Sequence, residues 1–172
     1  MALRKIVTLP EPVLRKKARK VTDFGPELQT LIDDMVETMR DAPGVGLAAP
    51  QVDVPLRVIV VEYAEDKGEE EEVTPKLYSL VNPEITRFDS ETEVGTEGCL
   101  SIPGFVGDVE RPLAVTVKGL NRRGQPIKIK AEGWLARIFQ HEIDHLDGIL
   151  FVDRAEKVWE FKGEPGQAVP LD

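Results

Sequence analysis

The chain's two histidines, His141 and His145, stand four residues apart in His141-Glu142-Ile143-Asp144-His145. On a helix that spacing turns both imidazoles to one side, close enough to share a metal ion. Glu142, beside the first of them, is placed to move protons at water that a cation activates. A pair satisfied by ordinary hydrogen bonds in the core is the other use of this spacing. Metal binding is favoured by the inward stripe that the pair shares with Trp134 and Ile138, and by the rarity of buried imidazoles in helix interiors. Two nitrogen donors leave a catalytic metal one protein ligand short of the usual set. Cys99, the single cysteine, is the obvious third donor, in Glu97-Gly98-Cys99-Leu100-Ser101. A small buried hydrophobe and a Cys/His nucleophilic pair are the other roles open to it. A third segment, Gly44-Val45-Gly46-Leu47-Ala48-Ala49-Pro50-Gln51, is small and uncharged throughout. It serves either as a tight connection against a helix or as bare backbone to which a substrate chain bonds like an added strand. In the second case the Gln51 amide is a fixed donor to developing negative charge. With no third glycine at the required step, it is not a dinucleotide-binding loop.

These residues need a frame to bring them together. Gly133 to Leu146 has helical periodicity: Trp134, Ile138, His141 and His145 form one stripe, and Leu135, Phe139, Glu142 and Leu146 the adjacent one. A second amphipathic helix is expected over Pro26 to Arg40, with Leu28, Leu31, Ile32, Met35, Val36 and Met39 on one face. The β-branched run Leu56 to Glu62 reads as a buried strand, and Leu77 to Val81 as another. Leu113 to Leu120 and Ile127 to Ala131 alternate apolar and polar residues about the turn Asn121-Arg122-Arg123-Gly124, which makes a hairpin. Helices interleaved with antiparallel strands predict an α+β fold: a single domain, residues 1–172, of mostly antiparallel strands packed around a central metal-binding helix. A length of 172 residues suits one domain.

Composition excludes several other classes. Twenty-two Lys and Arg against 31 Asp and Glu give a net charge of −9, which argues against a specific nucleic-acid partner. The one basic cluster, Arg15-Lys16-Lys17-Ala18-Arg19-Lys20, has helical spacing and is expected to be a solvated face. Glu69-Glu70-Glu71-Glu72 reads as an exposed loop, and the tail after about residue 160 as irregular. No apolar stretch approaches the roughly 20 residues of a membrane-spanning helix. The amino-terminal residues lack the apolar core of a secretory signal, and a lone cysteine cannot form an intrachain disulfide. A cytoplasmic location is expected.

Taken together, the glycine-rich segment, the cysteine segment and Gln140-His141-Glu142-Ile143-Asp144-His145 resemble, in order and spacing, the three signature motifs of the peptide deformylase family. The resemblance runs from Pro10-Glu11-Pro12-Val13-Leu14-Arg15 to about Phe151. It implies hydrolytic removal of the N-formyl group from the initiator methionine of nascent polypeptides, with release of formate. It implies one divalent metal per chain, natively Fe²⁺, for which Zn²⁺, Ni²⁺ or Co²⁺ substitutes. Carried over position by position, it makes Cys99, His141 and His145 the ligands and Glu142 the general acid/base. Gln51 and the backbone N–H of Leu100 become donors to the oxyanion. Gly44, Val45 and Gly46 hold the peptide, and Trp134 and Ile138 line the methionine pocket. Transient association with the ribosome accompanies that function.

The chain after Phe151 is short and rich in Pro and Gly, where many bacterial members continue into a long helix, so that helix is expected to be absent. Arg111 is expected to partner Glu97 and orient the cysteine segment. The rival enzyme reading is a zinc endopeptidase on the same helix, which normally takes a downstream Glu or His as third ligand. Asp147, Asp153 and Glu156 follow the helix too closely to serve without folding straight back. A closed structural site would need a fourth protein ligand and would leave Glu142 without a role.

Overall fold

The computed structural model describes residues 2–64 and 74–161; the Glu69-to-Glu72 block and the tail beyond lie outside the described residues. Among the described residues eight strands and three α-helices follow one another. Strands β1 (Gly46–Ala48), β2 (Val58–Tyr63), β3 (Lys76–Phe88), β6 (Ala114–Leu120) and β7 (Pro126–Glu132) form one sheet in the order β1-β2-β3-β6-β7. Strands β4 (Thr92–Cys99), β5 (Ile102–Pro112) and β8 (Lys157–Glu160) form a second, in the order β4-β5-β8. Every pairing within the two sheets is antiparallel, so the α+β expectation holds.

The five-stranded sheet lies between two helices, and β2 shows why. Val58 and Val60 pack with Leu31, Ile32, Met35 and Met39 of α1 (Pro26–Asp41), whereas Ile59 and Val61 pack with Leu135, Ile138 and Phe139 of α2 (Gly133–Leu146). Successive strand side chains point to opposite faces, so a strand covered on both faces must be apolar at every position. That accounts for the unbroken run Val58-Ile59-Val60-Val61. The far side of α2 faces the β4–β5 hairpin, where Cys99, Ile102 and Val109 cluster with Leu150 and with Phe151 of the short helix α3 (Phe151–Arg154). Helix α2 is thereby enclosed: eleven of its fourteen residues, Leu135 to Ile143 with His145 and Leu146, are buried. It ends at Gly148, whose φ of +74° suits the left-handed turn that closes a helix, and whose missing side chain lets it press against the Arg15 carbonyl.

Two expectations are corrected, and a stretch without a predicted element is filled. The basic cluster from Arg15 to Lys20 is not helical. A single 3₁₀ turn ends at Arg15, the chain then extends, and Arg19 bridges to Leu56, while the charged side chains are exposed and Ala18 is buried. Between residues 151 and 160, where the sequence suggested no element, the chain forms α3 and the edge strand β8, which pairs with β5. The Leu77-to-Val81 strand runs on to Phe88.

Candidate metal centre

Cys99 is the last residue of β4. Register shifts between Gly98 and Cys99, and a tight turn at Leu100 and Ser101 leads into β5. Such an irregularity re-aims the side chain beside it, and here it directs the sulfur at α2. Cys99 Sγ stands 3.4 Å from His145 Nε2, and the ring centroids of His141 and His145 are 5.1 Å apart. One ligand atom from each of Cys99, His141 and His145 falls within 4.8 Å of the others, and all three residues are buried. These are the three donors the sequence singled out. Burial, followed by the nearness of His141 and Arg111, pushes the His145 pKa well below its usual value, so its imidazole is neutral and able to donate a lone pair.

A thiolate with two imidazoles suits a first-row transition ion and not Mg²⁺ or Ca²⁺, which take oxygen. The geometry behind the donors fits as well. His141 places Nδ1 2.9 Å from Glu97 Oε1, which leaves its other ring nitrogen for a cation. Glu97 is fully buried and accepts a fork from Arg111, Nε to Oε2 at 2.6 Å and Nη2 to Oε1 at 2.9 Å. The expected Arg111–Glu97 pair is therefore present, and inside the protein rather than on its surface. Burial opposes ionisation of Glu97, but the hydrogen bonds from Arg111 and His141 outweigh it and hold the carboxyl well below the usual range.

The remaining expected residues gather around this core. Glu142 has no exposed surface. Gly46, in edge strand β1, lies so close that a Cβ there would come within 2.5 Å of Glu142 Oε2. Only glycine lets that backbone approach. The Gln51 side chain is anchored through Oε1, which accepts from Ala48 N at 3.0 Å, and its Nε2 lies 3.5 Å from Cys99 Sγ and 3.2 Å from Ser101 Oγ. Leu100 occupies the turn next to Cys99. Gly44 and Val45 lead into β1, and Val45, Trp134 and Ile138 pack in the same apolar cluster, with Ile138 fully buried. Of the downstream acids that an endopeptidase reading requires, Asp147 pairs with Arg57 and Asp153 with Arg15.

Sequence reasoning missed Arg137, Ser101 and Asp144. Arg137 Nη1 donates to Glu97 Oε2 at 2.6 Å, and Asp144 pairs with Arg111 at 2.9 Å and with Arg154 at 2.7 Å. An arginine on the inward stripe, four residues before His141, was the signal available for the first of these.

Comparison with known proteins decides the family. The family model for polypeptide deformylase matches residues 3–160. A peptide deformylase of Natranaerobius thermophilus is 51% identical over 159 residues, covering 92% of this chain and 96% of that one. The chain belongs to the polypeptide deformylase family. Solved deformylase structures agree in shape. That from Legionella pneumophila superposes with a TM-score of 0.79 at 48% identity, covering 90% of this chain and 87% of the other. A Met-Ala-Ser-bound class I type b peptide deformylase from Acinetobacter baumannii gives a TM-score of 0.81 at 39% identity, with 89% and 98% covered. No helix among the described residues is long and apolar enough to cross a membrane.

Proposed function

We propose that the chain is a metal-dependent peptide deformylase that hydrolyses the N-formyl group of formyl-methionyl nascent polypeptides and releases formate. The observation that carries this reading is the buried convergence of Cys99, His141 and His145 with Glu142 beside them, on a chain of the deformylase family. Cys99, His141 and His145 would hold one divalent ion, natively Fe²⁺, with Zn²⁺, Ni²⁺ or Co²⁺ as substitutes. When bound, that ion supplies Lewis-acid polarisation of the formyl carbonyl and acidifies water at the site.

The chain's own residues do the rest. Glu142 takes the proton from the attacking water and delivers it to the leaving amine, so the amide C–N bond breaks without expelling an amide anion. Gln51 Nε2, fixed through Ala48, and the Leu100 N–H donate to the oxygen that becomes negative as the formyl carbon turns tetrahedral. Backbone from Gly44 to Gly46 would receive the peptide like an added strand, since β1, which Gly46 opens, pairs among the described residues with β2 alone. Trp134 and Ile138, with Val45, receive the methionine side chain. The described chain acts as one catalytic domain in the cytoplasm, meeting its substrate at the ribosome.

Anaerobically purified protein loaded with Fe²⁺ should release formate from formyl-Met-Ala-Ser, and a chelator should abolish the release. Cleavage of an unformylated peptide without formate would move the assignment to an endopeptidase. A tightly held metal with neither activity would mark a structural site.

A further inference from the structure

The three donors come from two separate elements: Cys99 from the β4–β5 hairpin and the histidines from α2. Whatever fixes the distance between hairpin and helix therefore fixes the donor geometry. Gln140 and Asp144 of α2 each cross that seam once, to the Pro112 carbonyl at 3.0 Å and to Arg111 at 2.9 Å, and Arg137 crosses it three times. It lies one helical turn before His141, and its side chain is only 6% exposed. Its guanidinium donates to the Val109 carbonyl of β5 at 2.9 Å, to the Glu93 carbonyl of β4 at 2.7 Å and to Glu97 Oε2 at 2.6 Å. One helical side chain thus holds both strands of the hairpin that ends in Cys99.

The contact with Glu97 adds a second constraint. Residues four apart on a helix share a face, and Arg137 and His141 grip opposite oxygens of the same carboxylate, Oε2 and Oε1. Arg111 also forks onto Glu97, but it belongs to β5 and reaches α2 only at second hand, through Asp144 at 2.9 Å. Arg137 and His141 are the α2 side chains that bond the carboxylate itself. The Arg111 fork fixes the carboxylate relative to the hairpin, and Arg137 fixes it relative to α2, so the His141 imidazole meets an acceptor that its own helix also anchors. Local sequence makes room for this. A Cβ on Gly95 of β4 would come within 2.8 Å of the Arg137 guanidinium carbon, and the other face of that group covers the Trp134 ring, 5.5 Å from its centroid.

We propose that Arg137 is a positioning residue for the metal site, which sets the spacing of Cys99 from the histidine pair and the orientation of His141 through Glu97. The inference rests on the reading that Cys99, His141 and His145 hold the metal. Replacing Arg137 removes no donor, yet it should weaken the site as loss of an outer-shell partner does, by about tenfold or more in affinity. Glu97 keeps Arg111 as its counter-charge in such a variant, so the fold is expected to survive.

The test is Co²⁺ titration of the metal-free full chain, followed by visible absorption with its thiolate-to-cobalt band. Wild-type protein should bind one Co²⁺ with that band, and failure there would overturn the ligand assignment rather than the role of Arg137. Arg137→Met should bind with a dissociation constant about tenfold higher and a shifted spectrum, and Arg137→Lys should recover part of both. If Arg137→Met does not fold, Gly95→Ala, which displaces the guanidinium without removing it, is read in the same way. A wild-type dissociation constant and spectrum in the folded variant would overturn the proposal. So would a loss in Arg137→Lys as large as in Arg137→Met, since donors that a shorter cation cannot restore at all are not acting by position.

Discussion

Glu142 has no exposed surface and sits against a glycine backbone where any larger residue would collide with its carboxylate. Glutamine has nearly the same shape and volume and fits the same space. Glu142→Gln should therefore fold and take up metal like the parent while losing at least about 10²- to 10⁴-fold in formate release, the usual contribution of general acid/base catalysis. Metal content by elemental analysis and kcat with formyl-Met-Ala-Ser check it together, and loss of metal would make Glu142 a structural residue instead. Arg111 presents the contrasting case. Its fork onto Glu97 is buried on both sides, with 4% and 0% of the side chains exposed, and its third nitrogen reaches Asp144. Removing one partner of a buried ion pair leaves an undercompensated charge, so Arg111→Ala should cost about 3 kcal/mol or more in denaturant unfolding. Arg111→Lys, which keeps the charge but not the fork, should lose less. An unchanged unfolding midpoint in Arg111→Ala would show that Arg137 and His141 satisfy Glu97 without it.

Elements with one consistent pattern were legible and the site's own hairpin was not. Helix α2 carries the bounds its periodicity implied, and α1 runs one residue further than expected, because each presents an apolar stripe to the same sheet. The β6–β7 hairpin and the centre of β2 were equally plain. Strands β4 and β5 escaped detection because Gly95, Glu97, Gly98 and Arg111 break the alternation of a half-buried strand. These are the residues that press on Arg137 and His141 or re-aim Cys99, so local strand preference was given up where the site needed charge and close approach. Spacing exposed the two histidines, and its being the single cysteine exposed Cys99, as candidate donors, whereas Asp144 acts through partners elsewhere in the sequence and left no local signal, and Arg137 showed only as an arginine on the inward stripe. The amino-terminal segment shows the same kind of hidden suture. Asp34 of α1 is buried and accepts from Ala2 N at 2.8 Å and from Arg4 Nε at 2.9 Å. Burial opposes its ionisation, but these bonds prevail and lower its pKa. A carboxyl lowered on folding adds stability above its unfolded pKa and loses it as pH falls through the folded value. Asp34→Asn should thus melt below the parent at pH 7, with the gap closing in strongly acidic buffer where the parent carboxyl is protonated. A gap that stays constant with pH would assign the loss to packing.

Across the whole molecule, α2 is the element on which both sheets and all the chemistry converge, and a metal at Cys99, His141 and His145 would join that helix to the three-stranded sheet. An ion that binds only the folded chain stabilises it by mass action, about 2.7 kcal/mol when its free concentration is a hundred times the dissociation constant. For a chain of this size each kcal/mol is worth roughly 2–4 °C, so a chelator should lower the melting temperature of the metal-loaded protein by about 5–11 °C. The cross-link also predicts where the loss is felt. Amide exchange should rise chiefly in β4, β5 and α2, which the metal joins, and much less in α1 and β2, whose apolar contact does not involve the ligands. Cys99→Ala separates the cross-link from mere binding, because two histidines on one helix can still take up an ion but cannot pin the hairpin. That variant should keep little of the chelator-sensitive shift and show fast exchange in β4 and β5 even with metal present. A full shift retained in Cys99→Ala would mean that the cation is held by α2 alone and that the sulfur serves another purpose.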